Sequence, residues 1–369
     1  MNEKAVAEYL SIGRVLSTDT FTKGKKHDIK IPKVEPKSQG NVDDVIESLS
    51  NAIYNKTKNC KRIAISLSGG KDSRLIVAIC QKLCLSADCI TWTGGDNDRE
   101  VLAAKKVANT AHYDHKIIKL DREKFLDDGF AEKSIKITDG NPTYFTLVPY
   151  YTMGDALDYD IIIDGNMMTE FMDTGEYRWY EGLDVANALL SKEKDMRIVT
   201  DQYYNESIDA LLDLYKKDLS QVIVERKIDR IISAHFRYKY FKLWSPMTDN
   251  DVINSTFSLP FRERFGSKLV RNMIKQLSPE LYSISTSRSP LSLRYPLWVH
   301  QAYQKVFKTT CGFDFWKDVL FTEPIESFTE INLGMLNKEK IKQIVSNRDT
   351  DSKIARLRLM NVKKWMSVN

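Results

Sequence analysis

Residues 66–74 read SLSGGKDSR, directly after the apolar run IAI at positions 63–65. Two adjacent glycines follow, and then DSRLIVAICQKLCL, whose apolar residues recur at helical spacing; together these predict a strand, a tight turn and a helix in immediate succession. Such a junction lies at the carboxyl end of a strand, where glycines let backbone amides approach an anion and the next helix presents its positive end. Ser68, Gly69, Gly70 and Ser73 bring N–H and hydroxyl donors to that turn. Asp72 is the informative residue: a carboxylate repels phosphate unless a cation lies between them, which points to a polyphosphate accompanied by magnesium.

The same alternation continues outward from this turn. VDDVIESLSNAIYNKT reads as a helix with acids near its start, and KRIAISL is the strand that follows it. DCITWTGG is a second strand, NDREVLAAKKVANTA a second helix and HKIIKLD a third strand. After helical stretches in REKFLDDGF and YFTLVPYYTMGDAL, the segment YDIIIDG has the continuous apolar character of a buried parallel strand. Alternation of this kind predicts an α/β fold with a doubly wound parallel sheet. Beyond about residue 180 helical periodicity takes over, in GLDVANALLSKEKDM, ESIDALLDLYKKDLSQVIVERKIDRIISAHF and DSKIARLRLMNVKKWM, so the C-terminal half is expected to be mostly helical. The expected division is an N-terminal arm at 1–45, an α/β domain at 46–185 and a helical, substrate-side region at 186–369.

With 369 residues the chain is long enough for two lobes and a substantial core. Its 28% charged and 42% hydrophobic residues are those of an ordinary globular protein. A net charge of +5 is mildly basic, well short of a dedicated nucleic-acid binder. The start MNEKAVAEYL has no export-signal pattern and no long apolar run follows, so a cytoplasmic location is expected. Five cysteines suit reduced thiols, and Cys80 and Cys84 have the spacing of one helical face. No CxxC pair accompanies His112 and His115, so a zinc site is not expected.

The loop is neither GxxxxGK[ST] nor GxGxxG. It resembles the SGGxDS pyrophosphate loop of the ATP pyrophosphatase superfamily, whose sheet is of the adenine nucleotide alpha hydrolase-like type. Within that superfamily, VAEYLSIGRVLSTDTFTKGKK, TWTGGDNDREVLAAKKVAN with Glu100, IIIDGNMMTEF and SPELYSISTSRSPLSLRYPLW are similar to segments of the synthetase domain of asparagine synthetases, β-lactam synthetases and lasso-peptide cyclases. The resemblance covers almost the whole chain and is strongest at residues 66–74. It implies an ATP-dependent, amide-forming ligase, with a place in amino-acid biosynthesis, that activates a carboxylate as an acyl-adenylate and releases AMP and pyrophosphate.

Residue by residue, the resemblance implies that Asp72 holds magnesium and that Ser68, Gly69, Gly70 and Ser73 bind pyrophosphate, with Lys71 facing phosphate or solvent. Leu67, Trp92 and Thr93, at the ends of the first two strands, are expected to hold adenine and ribose. Glu170 and Arg288 are the catalytic candidates. Thr169 stands where the family has its second magnesium-binding aspartate, leaving Asp164, Glu170 and Asp173 as candidates for the missing carboxylate. In the late segment Arg288, with Arg294 nearby, stands where the family has lysine; arginine keeps the charge but is no proton donor near neutral pH. The first cysteine is at 60, so the glutaminase domain of the glutamine-dependent members is not expected here. Nitrogen is expected from ammonia, a substrate amine or a separate glutaminase subunit.

Three other readings share these residues. Intramolecular amide formation uses the same ATP site. Modification of tRNA draws on the basic, aromatic stretches HFRYKYFKLW and RLRLMNVKKW, which also read as amphipathic helices with solvated faces. A nucleotide-binding protein without catalysis is the reading that Thr169 favours.

Overall fold

The structure is a computed structural model, and it describes residues 1–36, 39–93, 99–120, 128–151, 153, 158–172, 198–287, 289–307, 326–347 and 350–369. Five strands, β1 (Ile63–Ser66), β2 (Asp88–Thr93), β3 (His115–Lys119), β4 (Ile161–Asp164) and β5 (Leu243–Trp244), form one sheet in the order β3-β2-β1-β4-β5. Every pairing is parallel. The chain builds the sheet one way from β1 through β2 to β3 and the other way from β4 to β5. The switch point therefore lies between the carboxyl ends of β1 and β4, where α/β sheets leave a crevice for ligands.

The two central strands explain their own sequences. Ile63 and Ile65 of β1 pack into one core cluster while Ala64 packs into another, so apolar groups cover both faces and no alternation appears. The edge strand β3 is half exposed, and its Lys116 pairs with Asp88 of the neighbouring strand. Charge on an edge strand discourages pairing with another chain. Before β1, Asn41 and Asp44 close a reciprocal capping box on the helix Val42–Thr57, and Val45, Ile46, Leu49 and Ile53 bury its inner face.

β5 was not foreseen. It follows the helix Ile228–Phe241 through Lys242, which adopts φ 61°. Two residues are too short for periodicity to reveal, and only the pairing Ile162 to Leu243 and Ile163 to Trp244 identifies them as a strand. The basic, aromatic stretch HFRYKYFKLW is thus the end of an amphipathic helix and the sheet's last strand. The rest of the described C-terminal half is mostly helical, including Asp201–Tyr215, Lys268–Leu277 and Thr350–Val368. The expected helix in GLDVANALLSKEKDM lies outside the described residues.

A second core lies away from the sheet. Residues 3–12, within the segment read as an arm, form a helix whose Ala5, Val6 and Leu10 are buried with Phe21, Ile135, Leu359, Val362 and Trp365. Arg358 donates to the carbonyls of Leu10 (2.8 Å) and Ser11 (2.9 Å), closing that helix from the far end of the chain.

One spacing misled. Cys80 is buried, but the helix Lys71–Lys82 ends before Cys84, which is exposed with φ 53°. The Cys84 amide donates to Gln81 and the Leu85 amide to Cys80, a Schellman ending in which a cysteine takes the left-handed position usually given to glycine. Cys60, Cys80, Cys84 and Cys89 are free thiols, and no cluster of three metal-binding side chains occurs among the described residues. No helix among them is long and apolar enough to cross a membrane.

Candidate functional site

At the end of β1 the chain turns through Ser68, Gly69 and Gly70 into the helix Lys71–Lys82. Gly69 has φ +67°, and a Cβ there would lie 2.6 Å from Cβ of Ala103 and 2.8 Å from the amide of Ala104. Both the backbone conformation and the packing of the neighbouring helix require glycine. The loop is fastened by its own serines: the Ser68 amide donates to Ser73 Oγ (3.1 Å), and the two hydroxyls lie 3.1 Å apart. The helix has Gly70 as its N-cap and no side-chain cap, so its first amides face the crevice without a built-in acceptor.

From the other side of the switch point, Gly165 meets the loop. A Cβ on Gly165 would come within 3.0 Å of the Asp72 carbonyl carbon and the Ser73 amide. Just before it, Asp164 accepts from Arg237 (2.9 Å), which also donates to the Tyr150 hydroxyl (3.2 Å). Burial pushes the Asp164 carboxyl up, against the opposing pull of Arg237 and the Asn166 amide. Burial also works against the Arg237 charge, but Tyr150, Asp164 and Glu170 outweigh it and hold the guanidinium above its usual range. The pair lies at the rear of the crevice.

Asp72 is engaged on both oxygens. Lys71 Nζ lies 3.0 Å from its Oδ1, and the Thr169 hydroxyl donates to its Oδ2. The same ammonium donates to Thr169 Oγ1 at 2.8 Å, which closes a three-membered network across the switch point.

Behind the loop stands Arg74, fully buried. Its guanidinium donates to the carbonyls of Gly69 (3.0 Å), Leu281 (3.0 Å), Ile284 (2.8 Å) and Ser285 (2.8 Å), and burial lowers its pKa to about 10. The four carbonyls take up both terminal nitrogens of the fork, Nε being buried without a partner, and no other side chain has enough donors to replace it. Arg74 thereby ties the glycine loop to the segment ahead of the hairpin β6 (Ser285–Thr286) and β7 (Ser289–Ser292).

Three cavities run side by side along this face. The central one, about 300 Å³, is lined by Leu67, Ser68, Ser73, Thr91, Trp92 and Gly165 among others. One flank opens into a cavity of about 430 Å³ lined by Lys71, Thr169, Arg271, Ser287 and His300, and shares Ser68, Asp72 and Glu100 with the centre. The other flank opens into a cavity of about 410 Å³, and shares Tyr150, Asn166 and Arg237 with the centre. A roomier hollow of about 660 Å³ elsewhere is lined by Glu35, Asp44, Glu47, Asp249 and Asp251, acids that repel a polyphosphate.

The structure therefore brings Leu67, Ser68, Asp72, Ser73 and Trp92 to the central cavity and Gly70 to the adjoining one. Leu67 offers little new hydrogen bonding, because its amide donates to Ile90 and its carbonyl accepts from Thr91. Trp92 forms a wall with Tyr150, edge to face at 6.0 Å. Thr93 is buried and does not line the cavity; Thr91, two residues earlier on the same face of β2, does. Glu170 does not line it either, and acts on the site through its charge near Arg237. Arg294 is exposed and donates to Ser283. Arg288 and Asp173 lie outside the described residues. Thr91, Tyr150, Asn166 and Arg237 were missed; Gly165, in IIIDG, carried a visible signal as a glycine after an apolar strand.

A parallel sheet with a glycine loop and an uncapped helix at its switch point defines a doubly wound α/β protein. Residues 44–166, a third of the chain, match the family model for asparagine synthase. Among solved structures, the chain is similar to the NMN synthetase of Francisella tularensis, at 14% identity over 55% of this chain and 93% of that one, with a TM-score of 0.26. A predicted subunit of tRNA methyltransferase from Methanocaldococcus jannaschii shows 20% identity over 51% and 90% of the two chains, with a TM-score of 0.22. The U34-tRNA thiolase NcsA of Methanococcus maripaludis, with its [4Fe-4S] cluster, shows 16% identity over 71% and 88%, with a TM-score of 0.27. No curated protein matches the chain.

Proposed function

We propose that this chain is an ATP-dependent, AMP-forming carbon–nitrogen ligase of the asparagine synthetase type. The observation that carries the reading is the uncapped SGGKDS loop at the switch point, with Asp72 held beside it and a cavity on either side of the central one. ATP occupies the central cavity with its adenosine against Trp92 and its phosphates over Ser68, Gly69, Gly70 and Ser73. A carboxylate oxygen of the acid attacks the α-phosphorus, the bond to the α–β bridging oxygen breaks, and pyrophosphate leaves toward Lys71 and Arg271. The amine then attacks the acyl carbon, AMP leaves with the bonding electrons, and the amine loses a proton. The loop acts by positioning and by stabilising charge on the leaving group. Ammonia, an amine of the substrate itself or a separate glutaminase subunit supplies the nitrogen.

The donor set fits a magnesium ion carried in by the polyphosphate, with Asp72 as a protein carboxylate placed to hold it. Asp164 is committed to Arg237, and Thr169 replaces the second acid. Bound there, the ion neutralises phosphate charge. Lys71 contributes a fixed positive charge on the same side, and ceding Asp72 to the ion frees its ammonium for phosphate oxygens.

The engagement of both Asp72 oxygens by Lys71 and Thr169 favours, as a second reading, nucleotide binding without turnover. One experiment separates the two. The protein is incubated with magnesium, ATP labelled separately at the α- and γ-phosphates, ammonium and a panel of acids, and the products are resolved. AMP and pyrophosphate that depend on one acid are expected; ATP that binds and stays intact with every acid leaves the binding role.

A further inference from the structure

Lys71 is an unexpected first residue for the helix Lys71–Lys82. The amino end of a helix is the positive pole of its dipole, which disfavours a cation, and adjacent residues on a helix do not face one another. Lys71 nevertheless meets the side chain of the next residue. Its Nζ lies 3.0 Å from Asp72 Oδ1 and donates to Thr169 Oγ1 at 2.8 Å, while the Thr169 hydroxyl donates to Asp72 Oδ2. The ion pair is partly sheltered, its two side chains being 20% and 27% exposed. Both oxygens of the carboxylate placed to hold magnesium are thus engaged by groups of the chain itself.

A divalent cation and an ammonium repel each other at one carboxylate, the more so away from bulk water. Lys71 and Asp72 together carry no net charge, and the Thr169 hydroxyl adds none. Among the described residues, the other acidic and strongly basic side chains that line the same cavity are Glu100 and Arg271, one of each sign. Such a site offers little to a metal ion by itself. A triphosphate changes the balance, because its oxygens compete with Asp72 for the ammonium, and drawing Lys71 away leaves Asp72 Oδ1 for a cation. Thr169 suits this exchange: its hydroxyl accepts from Lys71 and donates to Asp72, whereas a carboxylate in its place would add negative charge and attract a metal in its own right.

We infer that Lys71 couples metal to nucleotide: it keeps a divalent cation off Asp72 until polyphosphate oxygens take its ammonium, so that metal and triphosphate enter together and neither binds tightly alone. The inference rests on the nucleotide reading of the loop, and it gives Lys71 a task that phosphate binding alone does not require. A lysine that only balanced the charge of Asp72 would not respond to nucleotide. A lysine that only held phosphate would not respond to metal.

The test compares the full chain as wild type, Lys71→Met and Lys71→Arg. Each is titrated with manganese alone, the free ion being followed by paramagnetic resonance, and with a non-hydrolysable ATP analogue by calorimetry, in EDTA and in saturating magnesium. In the wild type, magnesium is expected to tighten the analogue about tenfold or more. Lys71→Met is expected to bind manganese about tenfold more tightly than the wild type and the analogue in EDTA about tenfold more weakly, the scale of one charge-assisted contact in each direction. Lys71→Arg, which keeps the charge, should stay within about threefold of the wild type in both. Damage to the fold weakens both ligands and so cannot produce opposed shifts. Manganese affinity unchanged by Lys71→Met, analogue affinity unchanged by it, or Lys71→Arg behaving like Lys71→Met overturns the inference and leaves the nucleotide reading standing. A wild type that binds the analogue neither in EDTA nor in magnesium overturns the nucleotide reading, and the coupling with it.

Discussion

The glycine loop at the switch point and the core that joins the chain's two ends are built by opposite means. At the loop, the strand Ile63–Ser66, the turn and the helix Lys71–Lys82 are contiguous, and the donors Ser68 and Ser73 are five residues apart. In the second core, Asp139 accepts from Thr20 (3.0 Å), Thr22 (2.9 Å) and the Trp365 indole (2.7 Å) and pairs with Lys25 (3.0 Å), joining partners from both ends of the chain. One region concentrates chemistry in a short segment that the sheet holds in place. The other uses its polar groups to hold distant segments together.

That contrast makes the two regions separable by substitution. Asp72→Asn is expected to reduce AMP formation by about a hundredfold or more, on the scale of losing a charge-stabilising group, with the thermal midpoint unchanged. Turnover against melting temperature checks it, and a coupled loss of both would erase the distinction. Arg74→Ala blurs this separation, because Arg74, on the helix that follows the loop, has a structural task. Stranding four buried carbonyls is expected to cost about 3–5 kcal/mol, read by urea unfolding, and to abolish ATP binding together with stability.

Asp139→Asn probes the second core alone. It removes a buried charge that Lys25 balances and misplaces one donor against Thr20, for an expected loss of about 2–4 kcal/mol in urea unfolding. Affinity for ATP should stay within about twofold, because no Asp139 contact reaches the loop.

The smallest expected effect is on pH dependence. Burial is the main cause that lowers the pKa of His27, His115, His235 and His300. A histidine depressed in the folded state binds fewer protons there than in the unfolded chain, so its contribution is intact above the unfolded value of about 6.5 and is lost as pH falls. Asp139, whose carboxyl is opposed by burial but held down by Trp365, Lys25, Thr22 and Thr20, loses its contribution in the same direction at lower pH. Asp164, pushed up by burial, has the opposite sign in the acidic window above 3.8. The melting temperature is expected to fall steadily from about pH 6.5 to pH 5, and calorimetry across that range checks it.

The same contrast explains what could be read in advance. SLSGGKDSR announced its strand, turn and helix because each signal is local, and IIIDG announced β4 because a buried parallel strand is apolar throughout. Trp92 was visible as the end of a strand. Arg237 was not, because it reaches Asp164 across 73 residues from a helix whose local pattern says only that it is basic and aromatic. β5 escaped through shortness, and Cys84 because a left-handed cysteine carries no mark of its conformation. Lys71 bridging Asp72 to Thr169 depends on two loops meeting at the switch point, and the close approach of Gly165 to Asp72 is what lets them meet.

In the proposed reaction the loop receives the pyrophosphate that leaves ATP as the acid attacks the α-phosphorus. That step is tested by the exchange of labelled pyrophosphate into ATP, with magnesium and each of a panel of carboxylic acids but without amine, for the wild type and Asp72→Asn. Acid-dependent exchange is expected in the wild type and its loss in the variant. ATP binding without exchange in the wild type, or equal exchange in both proteins, contradicts it.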